Sequence, residues 1–297
     1  MVMAKIVSYI EALKNIIIKP YVYINFNYKS RVLKIKNYQK FEDRGIKNLT
    51  LFMRAFEEVR TQINKNVHIV INCEDFPKKN KLAMAYCRRN KQDNVILIPD
   101  FVFLNWKEAG INDYEECWRT MVKKSKDMPI YNTLFWIGNV KTHPTRETLC
   151  QIAESDERME IYGMNWIRKD NSVGGTVKDA TKYVSLIDHT QYKYLIDIQG
   201  RGYSGRTKLL LFSGRPLFLV DRELKEYWYD KIVPYEHYIP VKEDLSDLVE
   251  QLNWAEQNPE KVAEIAYNAQ KFALENLKRD NAIVYLKDAI LEYVSRI

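Results

Sequence analysis

Apolar positions along the chain change period several times, and each change marks an element. From Tyr21 the stretch YVYINFNY alternates apolar and polar residues, and RVLKIKNY follows in the same way, which predicts a hairpin or an adjacent pair of strands. The period then lengthens to that of a helix. Positions 52, 55, 56, 59 and 63 of the run from Leu51 to Ile63 share one face, with Asn48 and Thr50 as candidate caps. Short apolar runs at VHIVIN, 67–72, and at Asn94 to Ile98 read as buried strands, and a helix is expected over Tyr114 to Lys126. Alternating strands and helices predict an α/β domain up to about residue 128, with Asp127 to Pro129 as a linker.

The pattern then restarts. TLFWIG, 133–138, reads as a strand feeding a helix that begins near Pro144 or Thr145, and residues 163–179 are polar and glycine-rich, as in a mobile loop. Tyr194 to Ile198 is a strand, Gly200 to Gly205 a turn, RTKLLLFSG a helix closed by Gly214, and Pro216 to Val220 a second strand. Asp244 to Glu256, Pro259 to Leu277 and Asn281 to Val294 carry helical periodicity.

Composition sharpens this only in places. A chain of 297 residues exceeds the size at which one core stops growing, so we expect domains at 1–128 and 129–280, with the helix 281–297 returning to the first. Apolar runs stop short of the ~18 to 20 residues that span a bilayer. The first 24 residues alternate apolar groups with Lys5, Glu11 and Lys14, the mark of an amphipathic helix and not of a secretion signal. A cytoplasmic protein is therefore expected. Cys73, Cys87, Cys117 and Cys150 are widely spaced and read as buried thiols. A net charge of +7 favours anionic ligands, but its short basic clusters resemble no nucleic-acid module.

Candidate chemistry concentrates in the strand, glycine turn, helix and strand between Tyr192 and Val220. Gly200, Gly202 and Gly205 would let a ligand approach the backbone, and Ser204, Arg206 and Lys208 supply donors for a phosphate. Two readings fit. GRGYSG matches the dinucleotide fingerprint, with Asp221 after the next strand as a ribose partner, and this gives an NAD(P)-dependent oxidoreductase. The same turn also suits the diphosphate of a nucleotide-sugar.

The wider stretch resembles glycosyltransferase family 90. The shared pattern runs through Asp188, His189, Tyr192, Lys193, Tyr194, Ser204, Arg206, Lys208, His237, Tyr238, Pro240 and Val241, and upstream through Gly138, Thr142, Pro144 and Arg146, with one extra residue after Gly138. The resemblance implies the GT-B architecture, two Rossmann-like domains facing a cleft. It further implies inverting transfer of xylose or glucose from a UDP-sugar to a glycan hydroxyl, with no cofactor beyond the donor. The lack of any Asp-x-Asp in the sequence and its arginines for the diphosphate predict transfer without a metal. Arg146 and Arg206 would flank the diphosphate. The strand end INCEDFP resembles the one that carries the family's base, which maps to Asp75, with Asp100 in reserve and Glu74 where the family often has arginine. Small signal-less members of this kind resemble microbial or large-virus enzymes, and in the viral case the setting would be host cytoplasm. A non-catalytic nucleotide- or sugar-binding protein remains the third reading.

Overall fold

The computed structural model describes residues 21–37, 42–77, 81–167, 173–175 and 183–297, so the expected N-terminal amphipathic helix lies outside the described residues. The chain divides into two compact units. One holds the described residues up to Leu104 together with Leu224–Tyr227 and Arg279–Ile297, and the other holds Asn105–Glu223 and Trp228–Lys278. Both are α/β.

In the first unit β1 (Tyr21–Asn27) pairs antiparallel with β2 (Val32–Asn37), the expected hairpin, and on its other side with β3 (Val67–Asn72). β4 (Ala83–Ala85) and β5 (Val95–Leu97) continue the sheet in parallel, in the order β2-β1-β3-β4-β5. Alternation puts Val22, Ile24 and Phe26 inside and Tyr21, Tyr23 and Asn25 on the wetter face. Helix α1 runs over Glu42–Val59, earlier than expected, because Gly45, Asn48 and Leu49 extend the buried stripe of Phe52, Ala55, Phe56 and Val59. Asn48 is thus not a cap. It is a buried mid-helix amide whose Nδ2 donates to Arg44 O at 2.9 Å and to the Tyr86 hydroxyl, while Thr50 Oγ1 bonds back to Ile46 O. The helix Arg279–Arg296 completes this unit, with Tyr293 Oη accepting from Val70 N at 3.2 Å.

In the second unit α2 (Tyr114–Lys124) is capped by Asp113, whose side chain accepts from Glu116 N. The sheet contains β6 (Tyr131–Asn139), β7 (Met159–Ile167), β8 (Val173–Gly175), β9 (Tyr192–Asp197), β10 (Leu217–Val220) and β11 (Ile239–Val241), in the order β11-β10-β9-β6-β7-β8. Every pairing is parallel except that of β8 with β7. The stretch expected as a mobile loop therefore contains β8 and the second half of β7, whose glycines masked the alternation; residues 168–172 and 176–179 of that stretch lie outside the described residues. The near-continuous burial of β9 and β10 follows from their central place in a parallel sheet. Helix α3 (Pro144–Ala153) starts on proline as expected. Gly214, at φ +63°, ends the short helical stretch after β9, and a Cβ there would stand 2.8 Å from Ser125 Cβ.

Candidate functional site

Four adjacent parallel strands of the second unit, β6, β9, β10 and β11, end along one edge, and polar side chains gather in the segments that follow them. In open α/β sheets that edge is where ligands bind. After β6 a single turn brings Thr142 and Arg146 to Gly200, which follows β9: a Cβ at Gly200 would lie 3.5 Å from Arg146 Nη2 and 3.7 Å from Thr142 Oγ1. Arg146 spends its guanidinium on the backbone. Nε donates to Gln199 O, Nη1 to Asn139 O and Nη2 to Ile198 O, at 2.9, 2.9 and 3.0 Å, tying the end of β6 to the end of β9. Burial and the neighbouring Arg206 lower its pKa to about 9, so it is protonated at neutral pH.

The centre of this edge is Asp197, the last residue of β9, with no exposed surface. Its Oδ1 accepts from Ser204 Oγ and Arg206 Nε, both at 2.9 Å. Its Oδ2 accepts from Thr207 Oγ1 at 2.5 Å and Arg222 Nη2 at 3.0 Å. Burial alone would push the carboxyl up, but Arg222 and Arg206 outweigh it and bring the pKa down to about 2. Arg206 also donates Nη1 to Ile137 O, and its guanidinium carbon lies 5.5 Å from the Trp136 ring centre, on which Arg146 also rests at 5.3 Å. The third Arg206 nitrogen, Nη2, is buried with no partner among the described residues. Arg146, Arg206 and Arg222 thus stand around a single carboxylate, a net positive site.

The remaining expected residues are placed differently. Ser204 is buried on Asp197, whereas Lys208 is wholly buried beneath the turn, with Nζ donating to Gly205 O at 2.9 Å. Gly200, Gly202 and Gly205 adopt no positive φ; among the described glycines only Gly110 and Gly214 do. Gly138 faces Trp136, 2.8 Å from where its Cβ would be, so its missing side chain makes room for the indole. The expected helix is one α turn, Thr207–Leu210, continued as a tighter turn to Ser213. So short a helix carries little dipole, and the positive charge of this edge comes from guanidinium groups.

Beside them lies a group that no sequence motif marks. Gln199 Nε2 is 3.0 Å from His143 Nε2 and donates to Glu243 Oε1 at 3.4 Å, joining the segments after β6, β9 and β11. Burial and Arg146 lower the His143 pKa. His189, of the expected Asp-His pair, is buried, with Nδ1 2.8 Å from Ser185 O. Burial and Arg206 take its pKa down to about 3. Asp221 is exposed and its Oδ1 accepts from Arg222 N.

In the first unit Asp75 follows the end of β3. Its side chain keeps 43% exposure and its Oδ1 accepts from Arg44 Nη1 at 3.0 Å. Arg44, which belongs to no motif in the sequence, comes from α1 and stacks 4.7 Å from the Phe101 ring centre. Glu74 N is held by Asn72 Oδ1, and Asp100 is buried, 1% exposed. A cavity of about 520 Å³ lies elsewhere on this unit. Asn25, Asn27, Lys34, Asn66 and His68 line it, at the opposite end of β3 from Asp75. Among the described residues no cluster of His, Cys, Asp or Glu could hold a metal, no helix is long and apolar enough to cross a membrane, and all four cysteines are buried.

Comparison with known proteins gives one family and several relatives. The model of Glycosyl transferase family 90 matches residues 15–297. Protein O-glucosyltransferase 1 of Bos taurus is 28% identical over 246 residues, 77% of this chain and 62% of that protein. Protein O-glucosyltransferase 2 of Danio rerio is 26% identical over 267 residues, 82% of this chain and 50% of that protein. A protein of Invertebrate iridescent virus 6 is 33% identical over 124 residues, 39% of this chain and 10% of that protein. The chain thus spans between half and two thirds of the two O-glucosyltransferases.

Proposed function

The chain belongs to glycosyl transferase family 90, and on that premise we propose that it transfers a sugar from a UDP-sugar to a hydroxyl acceptor with inversion at the anomeric carbon. The observation that carries the donor assignment is the positive edge of the second unit, where Arg206 keeps a buried Nη2 without a partner among the described residues. A diphosphate would supply the missing acceptor and offset the charge that Asp197 alone leaves unbalanced. Thr142, Ser204 and the backbone of Gly200, Gly202 and Gly205 would line the cradle, with Arg146 and Lys208 supporting it through the carbonyls they hold. Gly138 would serve it through the packing of Trp136.

Asp75 is the base in this reading. It takes the acceptor's hydroxyl proton as that oxygen bonds to the anomeric carbon, while the bond from carbon to the diphosphate oxygen breaks and UDP departs. Positive charge fixed before the reaction stabilises the leaving diphosphate without a metal. The names of the relatives favour glucose over xylose as the sugar. They also favour a protein hydroxyl as the alternative to a glycan acceptor.

The test is calorimetry of UDP with and without chelator, followed by turnover of a UDP-glucose and UDP-xylose panel. We expect UDP to bind equally well in chelator and UDP-glucose to be consumed. Binding of NAD in preference to UDP, or loss of UDP binding in chelator, would overturn the reading.

A further inference from the structure

Arg206 meets Asp197 in an unusual way. An arginine beside a carboxylate commonly closes a two-bonded fork, with two guanidinium nitrogens on the two oxygens. Here only Nε engages, and Nη2, the nitrogen that would complete a side-on fork, is buried and unpartnered among the described residues. The reason lies on the other side of the carboxylate. Oδ2 is already filled by Arg222 Nη2 at 3.0 Å and Thr207 Oγ1 at 2.5 Å. Arg222 is itself locked, with Nε on Val220 O at 3.2 Å, Nη2 also on Asp197 O at 3.1 Å and its side chain only 2% exposed. Asp197 and Arg222 are too deeply buried to grip a ligand themselves.

We propose that Arg222, with Thr207, is a positioning residue for the donor diphosphate: by occupying Asp197 Oδ2 it prevents Arg206 from closing onto that carboxylate and so keeps Arg206 Nη2 available to the phosphates. This rests on the donor reading given above. Asp197 anchors Arg206 through Oδ1 and Ile137 O fixes its Nη1, so two contacts set the orientation and a third, the one to Oδ2, is denied. Removing Arg222 opens one of the two donor positions on Oδ2, leaving Thr207 in the other, and the free Nη2 of Arg206 is the donor placed to fill it. The site would then trade a phosphate contact for an internal ion pair. Loss of a cation would by itself also weaken a diphosphate, but that loss would not depend on Arg206. Only the geometric argument makes Arg222 act through Arg206, and the uncharged Thr207 share its effect.

The test compares UDP with uridine, which lacks the diphosphate, by calorimetry on the full chain. In wild type UDP should bind more tightly than uridine; if it does not, the donor reading fails and this inference falls with it. Arg222→Met should weaken UDP about tenfold, the size of one charge-assisted contact, with uridine affinity unchanged. Arg222→Lys, which keeps a charged donor for Oδ2, should restore most of the preference. Should Arg222→Met not fold, Thr207→Val removes the other donor from the same oxygen with a side chain of equal shape and should shift UDP in the same direction by a smaller factor. In an Arg206→Gln background, Arg222→Met should have no further effect on UDP. A wild-type preference for UDP that survives in both variants would overturn the inference and leave the donor reading intact. So would equal weakening of UDP and uridine, or additive losses in the Arg206→Gln background.

Discussion

Two aspartates of this protein stand at the carboxyl ends of strands and meet arginine at similar distances, yet their surroundings are opposite. Asp75, beyond β3, has one arginine at 3.0 Å and 43% of its side chain in solvent. Asp197, ending β9, has two arginines and two hydroxyls and no exposure. A carboxylate whose lone pairs are all taken cannot accept a proton from a substrate, and one with solvent access and a single arginine can. Burial has made one acid a framework for cations and left the other open to solvent, as the proposed base would need to be.

Substitutions at the two acids and their arginines should therefore separate chemistry from binding. The largest effect is expected for Asp75→Asn, which keeps the shape and removes the basicity: kcat should fall at least about 100-fold while UDP affinity stays nearly constant. Transfer assays beside calorimetry decide it, and a near wild-type rate would move the role to Asp100. Next, Arg206→Ala should weaken UDP by about ten- to a hundredfold, with slower transfer as well, since charge grows on the leaving diphosphate.

A pH series probes the sealed site from the other direction. Native His189 stays neutral down to about pH 3, whereas the unfolded chain protonates it near 6.5, so the unfolded state binds more protons in between. Stability should fall as pH drops from about 6.5 towards 3, and Asp197, titrating at about 2 against 3.8 unfolded, should add a further loss below pH 4. Melting temperatures of wild type and His189→Gln from pH 7 to 4 should show a flatter slope in the variant. The smallest effect is expected for Gly200→Ala, because its φ is not positive and a Cβ would meet only ordinary contacts at 3.5 and 3.7 Å. Stability should stay within about 0.5 kcal/mol, and chemical denaturation checks it.

Much of this was legible before the structure. The hairpin β1–β2, the strand β3 and the proline start of α3 follow from period and cap chemistry, and the family pattern brought Thr142, Arg146 and Arg206 to notice. The start of α1 was hidden because Asn48, buried inside the helix, looks like a cap. The second half of β7 was hidden because Gly163, paired with Gly138, interrupts its apolar alternation. The role of Asp197 was not readable for a different reason. Its partner Arg222 is 25 residues away, and they meet only because β10 lies parallel to β9, with Leu219 opposite Asp197. Local sequence holds no sign of that register.

The path of the chain also sets an order of assembly. The first unit draws on Arg279–Ile297, whose Tyr293 hydroxyl bonds to the backbone of β3 and whose Lys287 pairs with Glu58. During synthesis from the N-terminus the hairpin and α1 emerge early but must wait for those residues, while every residue of the second unit has been made by Lys278. The unit whose first strands are made earlier is thus the later of the two to have all its residues, and a sheet left open that long is the kind of surface that aggregates.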